Sequence, residues 1–249
     1  MLKELGKRDW LSWLNIPEER VPKVLVLRGT RNLRTRYNQH KELLSDVLEI
    51  GSPNGIFEDV LIGDYSGTTV GYASVYGDVM ASEITHVFGV MGTPVVIQTG
   101  CCGAIGDGIL AGDLVCATYA HCGEGAAQYY CDHSEVSASA DLVEKLDARD
   151  VPLHKGPIFT TSALLAEARE DIERWRAEGY IAVDMETATT FAVAQHFGMK
   201  RLSLLFAFEN LSQGEHILLS DSEKQERWAK GEKAMIDIVL SAIKRIGVG

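Results

Sequence analysis

The 249-residue sequence predicts an α/β domain built around a mostly parallel or mixed sheet. Short apolar runs with the length and β-branched character of buried strands recur along it, and segments of helical periodicity alternate with them. Polar or glycine-rich clusters stand where those runs end. Ligands of such sheets bind outside the carboxyl ends of strands, so the same clusters are the candidate sites.

Residues 1–22 are a charged, amphipathic lead-in with Trp10 and Trp13, predicted helical. "KVLVLRG" then reads as a buried strand ending at Gly29. "NLRTRYNQHKELLSDVLEIG" places Leu33, Tyr37, Leu43, Leu44, Val47 and Leu48 at helical spacing, which predicts one helix over 32–51. "GIFEDVLIGDYSGTTVGYASV" alternates in short runs around "GDYSG", a hairpin pattern. "SEITHVFGVMG" predicts a helix capped by Ser82 and closed by Gly92. "PVVIQTG" and "GDLVCATYAHC" are further buried strands joined through a glycine-rich bend. Residues 154–179 predict a strand and a helix capped near Thr161 or Ser162, and residues 181–198 a second strand and helix. "RLSLLFAFEN" adds a strand, and 222–247 is an amphipathic helix with Trp228, Met235, Val239 and Ile243 on its apolar face. With no repeat and no low-complexity linker, residues 1–249 are expected to form a single domain.

Charge and composition exclude several classes of function. Lys and Arg number 24 against 35 Asp and Glu, a net charge of −11 that would repel nucleic-acid phosphates and anionic membranes. "RGTRNLRTR" is a local basic exception. The charged amino terminus lacks the apolar centre of a signal peptide, and no stretch has the roughly 20 apolar residues of a membrane span, so a cytoplasmic address is expected. Five cysteines, two of them vicinal and none in a C-x-x-C pair, predict neither a disulfide framework nor a metal site. "GCCGAIGDG" does not fit the G-x-G-x-x-G of a dinucleotide fold.

Five strand ends carry chemistry: "RGTRNLR", "QTGCCGAIGDG", "IFTTS", "VDMET" and "FAFEN". In the fourth, Asp184 and Glu186 flank Met185 at the opening of a helix. Carboxylates there complement the helix dipole, which is a purely structural use. A carboxylate beside a thioether also suits a sugar, whose hydroxyls donate to the oxygens while the sulfur packs on the ring.

"VDMET" resembles the V-E-M-E motif of the nucleoside phosphorylase-I family, which includes uridine phosphorylases, hexameric purine nucleoside phosphorylases and related nucleosidases. In the same order along the chain, "VLVLRGTRNLRTRY" is similar to the family's first strand and G-D-P-x-R loop, and "VVIQTGCCGAIGDGILAGDLV" to its G-[ST]-x-G and G-D-[LIV]-V. "GEGAAQYY" resembles D-E-G-[TA]-S-x-x-Y, and "GPIFTTSALLAE" the strand and turn beside the nucleobase.

The resemblance implies a three-layer α/β sandwich with a central mixed β-sheet flanked by helices, assembled as a homo-oligomer, a dimer or a trimer of dimers. It implies phosphorolysis of an N-glycosidic bond, uridine-type ahead of purine, with inorganic phosphate as co-substrate and no cofactor. By the same carry-over Glu186 and Met185 meet the ribose, with Asp184 in place of the first Glu, and Phe159 stacks on the base. Glu167 and Arg169 stand where uracil's carbonyls are read. Glu209 is either the proton donor to the leaving base or a loop residue. Gly29 matches the phosphate loop, with Arg34 the better counterpart of its arginine and Arg31 the alternative. Gln98 and Cys101 stand where the family has a second arginine and a hydroxyl. That replacement costs phosphate contacts, though the amides of Gly100 to Gly103 would remain as donors if the segment turns. Two rivals follow from it: a nucleosidase that uses water, and a nucleoside-binding relative without turnover.

Overall fold

The apolar run after the lead-in forms strand β1 (Val24–Gly29), buried along its whole length, in a computed structural model that describes residues 1–52, 55–148, 150–218 and 221–247. It follows helix α1 (Lys7–Trp13) and precedes α2 (Leu33–Lys41) and β2 (Ser45–Glu49). Next come β3 (Val60–Tyr65), β4 (Thr68–Val75), α3 (Gly77–Met91), β5 (Val95–Ala104) and β6 (Leu114–Gly123). The second half runs β7 (Glu135–Ser137), α4 (Ala140–Glu144), β8 (Leu153–Thr161), α5 (Arg169–Ala177), β9 (Ala182–Asp184), α6 (Thr187–His196), β10 (Lys200–Asn210) and α7 (Ser222–Gly247).

Among the described residues, ten strands join one mixed sheet. Strand β10 pairs with β6 on one side and with β5 on the other, so β5, β9, β8, β6 and β10 close into a ring. From β5 the strands β1, β4, β3 and β2 extend as an open arm. Helices cover both faces. Trp10, Leu11 and Phe88 from α1 and α3 pack on Leu25 and Leu27, while Tyr37 of α2 and Met235 and Val239 of α7 pack on Val24 and Val26. Alternation along β1 sends successive side chains to these two layers. Phe191 and Ala192 of α6 pack against Leu205 and Ala207 of the ring. This is the mixed sheet flanked by helices that the sequence predicts.

Four local expectations change. The helix expected over 32–51 stops at Lys41, and its second half becomes β2, which pairs antiparallel with β3. Val47 and Leu48 satisfy either periodicity over so short a run, and the open edge of the β3–β4 hairpin decides between them. That hairpin turns through Ser66 and Gly67, both at positive φ (53° and 83°), the backbone of a tight two-residue turn. Helix α3 begins at Gly77, so Ser82 lies inside it and donates to the Val79 carbonyl instead of capping. The helix expected from Thr161 begins only at Arg169. Finally, "GCCGA" is not a bend: residues 100–104 continue β5 and pair with β10, Gly100 opposite Leu205 and Cys101 opposite Phe206. Gly100 to Gly103 therefore belong to the ladder and do not form the turn of free amide donors that the sequence suggested.

Candidate active site

The carboxyl ends of β1, β5, β9 and β10 converge on a cavity of about 260 Å³. Gly29, Cys101, Met185, Glu186 and Glu209 line it, together with Asp184, Arg31, Tyr76 and the rings of Phe206 and Phe208. It shares Leu164, Glu167, Glu209, Leu211 and Ile217 with a larger cavity of about 890 Å³ formed with α5 and the segment after β10. The two make one cleft, narrow and carboxylate-lined at the strand ends and wide toward α5.

Glu186 is fixed by backbone. It ends the short link from β9 to α6 and occupies the N-cap position of that helix. One carboxylate oxygen, Oε1, accepts from the Gly77 amide at 2.8 Å. The other lies over Gly29, where a Cβ would come within 2.8 Å of Oε2 and 3.1 Å of Gln98 Nε2, so only glycine leaves room for this carboxylate. Burial pushes Glu186 up to about 8, Asp184 adds to the rise, and the Gly77 hydrogen bond opposes it. Met185 is half-buried beside it on the cavity wall.

Asp184, by contrast, turns inward. Its Oδ1 accepts from Thr160 Oγ1 at 2.7 Å, and Oδ2 accepts from the Thr187 amide at 2.9 Å and the Thr187 hydroxyl at 2.5 Å. It therefore fastens the start of α6 to β8, the structural use of a carboxylate at a helix opening.

At the junction of the two cavities stand Glu209 and Glu167. Glu209 is 6% exposed, and its Oε2 is buried without a hydrogen-bond partner. Burial pushes it up to about 7, with Lys224 opposing and Glu167 and Glu215 reinforcing. Glu167 also carries an unpartnered buried oxygen, Oε1, and burial with the charge of Asp171 pushes it up to about 7. Near neutral pH such a carboxyl holds a proton part of the time and can donate it. Asn210, next to Glu209, donates to the carbonyls of Gly106 and Ile109 and so anchors the loop after β5.

Several residues expected at the site stand elsewhere. Phe159 does not line the cleft: one ring partner is Trp175, stacked at 4.2 Å, another is His121, stacked at 4.9 Å, so neighbours inside the fold occupy the faces a base would need. Arg169 lines only the larger cavity. Arg34 pairs with Asp59 at 3.1 Å and Glu58 at 3.7 Å, and its guanidinium lies 5.0 Å from the Tyr37 ring, away from the cavity wall. Gln98 is fully buried beneath Gly29, donating to the Thr99 carbonyl at 3.0 Å and accepting from the Thr190 hydroxyl at 3.1 Å. Arg31 does reach the cavity, 4.8 Å from the Tyr76 ring. Cys101 opens onto the cavity; desolvation pushes the thiol up to about 11, with Arg28 opposing the rise and Glu186, Glu209 and Glu232 adding to it.

Arg28 and Arg36, both in the basic run "RGTRNLRTR", also line the cavity, although neither is the counterpart of the family's loop arginine. A signal for Arg28 was present in "VLVLRG", a charged residue inside an apolar strand. Among the described residues, no three His, Cys, Asp or Glu side chains converge to hold a metal ion, and no helix is long and apolar enough to cross a membrane.

The phosphorylase superfamily model matches residues 30–244. A guanosine phosphorylase of Halorubrum lacusprofundi is 28% identical over 207 residues, 80% of this chain and 86% of the relative. A DeoD-type purine nucleoside phosphorylase of Vibrio parahaemolyticus is 25% identical over 227 residues, covering 87% and 93%. A uridine phosphorylase structure from Vibrio fischeri superposes with a TM-score of 0.79 over 93% of this chain and 96% of that one, at 22% identity, a likeness of fold.

Proposed function

The chain belongs to the phosphorylase superfamily, and from that premise we propose that its cleft binds a ribonucleoside and breaks the N-glycosidic bond with inorganic phosphate, giving free base and pentose 1-phosphate. One observation carries the reading: Glu186, buried, held by the Gly77 amide and seated on Gly29, faces the same small cavity as Met185. As the base leaves, the sugar gains oxocarbenium character; Glu186, raised to about 8, acts once it has released its proton, and as a preorganised carboxylate accepting from the sugar hydroxyls it stabilises that charge more than it stabilises the ground state.

The base then lies toward the larger cavity, beside Glu209 and Glu167. A leaving purine needs a proton at a ring nitrogen, and Glu209, with its unpartnered oxygen and its value near 7, is the donor in this reading. That acid supports a purine over the uridine-type substrate the motifs favour, as do the relatives' names. Met185 packs on the sugar, Asp184 holds the helix that carries Glu186, and no cofactor enters. Assembly as a homo-oligomer belongs to the same reading, with exposed Trp13, Val79 and Tyr129 as apolar surface for it.

The test is a panel of guanosine, inosine, adenosine and uridine, each with and without phosphate. Base release that requires phosphate and yields pentose 1-phosphate, fastest with a purine, is expected. Free pentose at a phosphate-independent rate defeats the proposal and establishes hydrolysis instead. That second reading has an observation of its own, since Arg34 and Gln98 are both engaged away from the cavity.

A further inference from the structure

Arg28 and Arg36 make an arrangement that neither the motifs nor the proposed chemistry uses. Arg28 is 2% exposed, and its guanidinium lies 5.7 Å from the Phe206 ring. Its Nη2 donates to Glu232 Oε1 of α7, and Nη1 lies 3.5 Å from Met235 Sδ. Arg36 of α2 pairs through Nη1 with the same Glu232 oxygen at 2.8 Å and also donates to Gln39. Both arginines line the 260 Å³ cavity, whereas Glu232 reaches them from α7 behind it.

Two guanidiniums thus share one carboxylate, leaving one positive charge in excess, and the Nε of each is buried with no acceptor. Excess cationic charge and orphaned donors in a low-dielectric site are costly, and an oxyanion relieves both. Guanidinium forks match tetrahedral oxyanions because several N–H groups converge on two or more oxygens. Cys101, which feels the Arg28 charge, lies on the adjoining wall.

We propose that Arg28 and Arg36 form the oxyanion seat of the cavity and that Glu232 is its resident carboxylate, so that inorganic phosphate binds by displacing the Glu232 contact. The identity of the anion rests on the phosphorolytic reading above; the existence of the seat does not. A carboxylate tethered on the same chain competes at high effective concentration, so Glu232 sets the affinity for phosphate.

The experiment is calorimetric titration of the full chain with inorganic phosphate in the absence of nucleoside. Glu232→Gln, which keeps the shape and removes the charge, is expected to bind phosphate about tenfold more tightly than the parent, by analogy with other close charge pairs. Arg36→Met, at a partly exposed position, and Arg28→Met are expected to bind at least about tenfold more weakly. Circular dichroism checks that each variant folds, and Arg36→Met decides the matter if Arg28→Met does not. Equal affinities throughout, no phosphate binding by parent and Glu232→Gln alike, or weaker binding by Glu232→Gln each overturn the proposal. Phosphate-dependent turnover with affinities unchanged by the variants sinks the seat and leaves the phosphorolytic reading standing. Phosphate-independent turnover with the expected titrations does the reverse.

Discussion

At the end of the cleft where the proposed function puts the sugar, Glu186 lies between a strand end and a helix start, with the Gly77 amide on one oxygen and Gly29 under the other. At the anion end, Arg34 and Gln98 hold the chain positions of a phosphate site, yet one reaches out to Asp59 and the other turns down to Thr99 and Thr190. Glu186 follows the tip of β9, whereas Gln98 lies inside β5 and Arg34 on α2. Their difference lies in the tether. Glu186 is short and held by backbone, so chain position determines where its oxygens go. Arg34 has a long side chain on an exposed helix face, and the nearest acceptors, contributed from outside its own motif, determine its direction.

The largest expected effect is at the sugar end. Glu186→Ala removes the group that, in the proposed function, meets developing sugar charge, and is expected to lower kcat/KM by at least about 10²-fold. Steady-state rates with the best nucleoside of the panel check this, and a variant within threefold of the parent by those rates would remove Glu186 from the site.

A smaller loss is expected at the base. Glu209→Gln keeps a donor of similar shape but cannot release a proton, so kcat falls by about 10- to 10²-fold. In the parent, loss of the Glu209 proton as pH rises through about 7 lowers kcat/KM, while ionisation of Glu186 toward about 8 opposes it. The variant lacks that limb, and a limb that persists unchanged assigns the proton to another group.

Stability should follow the same groups. Glu167, Glu186 and Glu209 are raised from 4.5 to about 7, about 8 and about 7, so the folded chain keeps protons that the unfolded chain has released. Their contribution is fully present below about pH 4.5 and is lost as pH rises through 7 to 8. The Tm of the ligand-free protein is expected to be lower at pH 8.5 than at pH 5.5 by a few degrees, as scanning calorimetry would show. A Tm that rises over this interval contradicts the assignment.

The smallest effect is at the displaced arginine. Arg34→Ala removes a half-exposed guanidinium from buried Asp59 and exposed Glu58, so its cost falls on stability, and it is expected to change KM for phosphate by less than about twofold. A tenfold rise would return Arg34 to the anion site and erase the contrast between the two ends.

Much of the fold was legible because it rests on local pattern. The buried strands "VLVLRG", "VVIQ" and "LSLLFAF" and the stripe of α7 show their periods within one segment. Positions of Gly29, Met185, Glu186, Glu209 and Cys101 around one cavity were legible for the same reason, each standing at a strand tip. What sequence could not show was decided by partners far along the chain. Residues 45–49 pair with β3, "GCCGA" with β10, Phe159 with Trp175 and His121, and Arg28 with Glu232 more than two hundred positions later. Periodicity within a segment shows none of these pairs.

One consequence of the open arm lies outside the cleft. A sheet whose far side is closed into a ring has its vulnerable border at β2, where unpaired backbone groups invite a strand from another molecule and hence aggregation. That border is short, polar and irregular: Asp46 takes a φ of 47°, the register slips between Ser45 and Leu48, and Arg20 is tied across to Asp46. A neighbouring strand finds no flat ladder there to extend, so the misread half of the expected helix serves as the molecule's guard against stacking with its own copies.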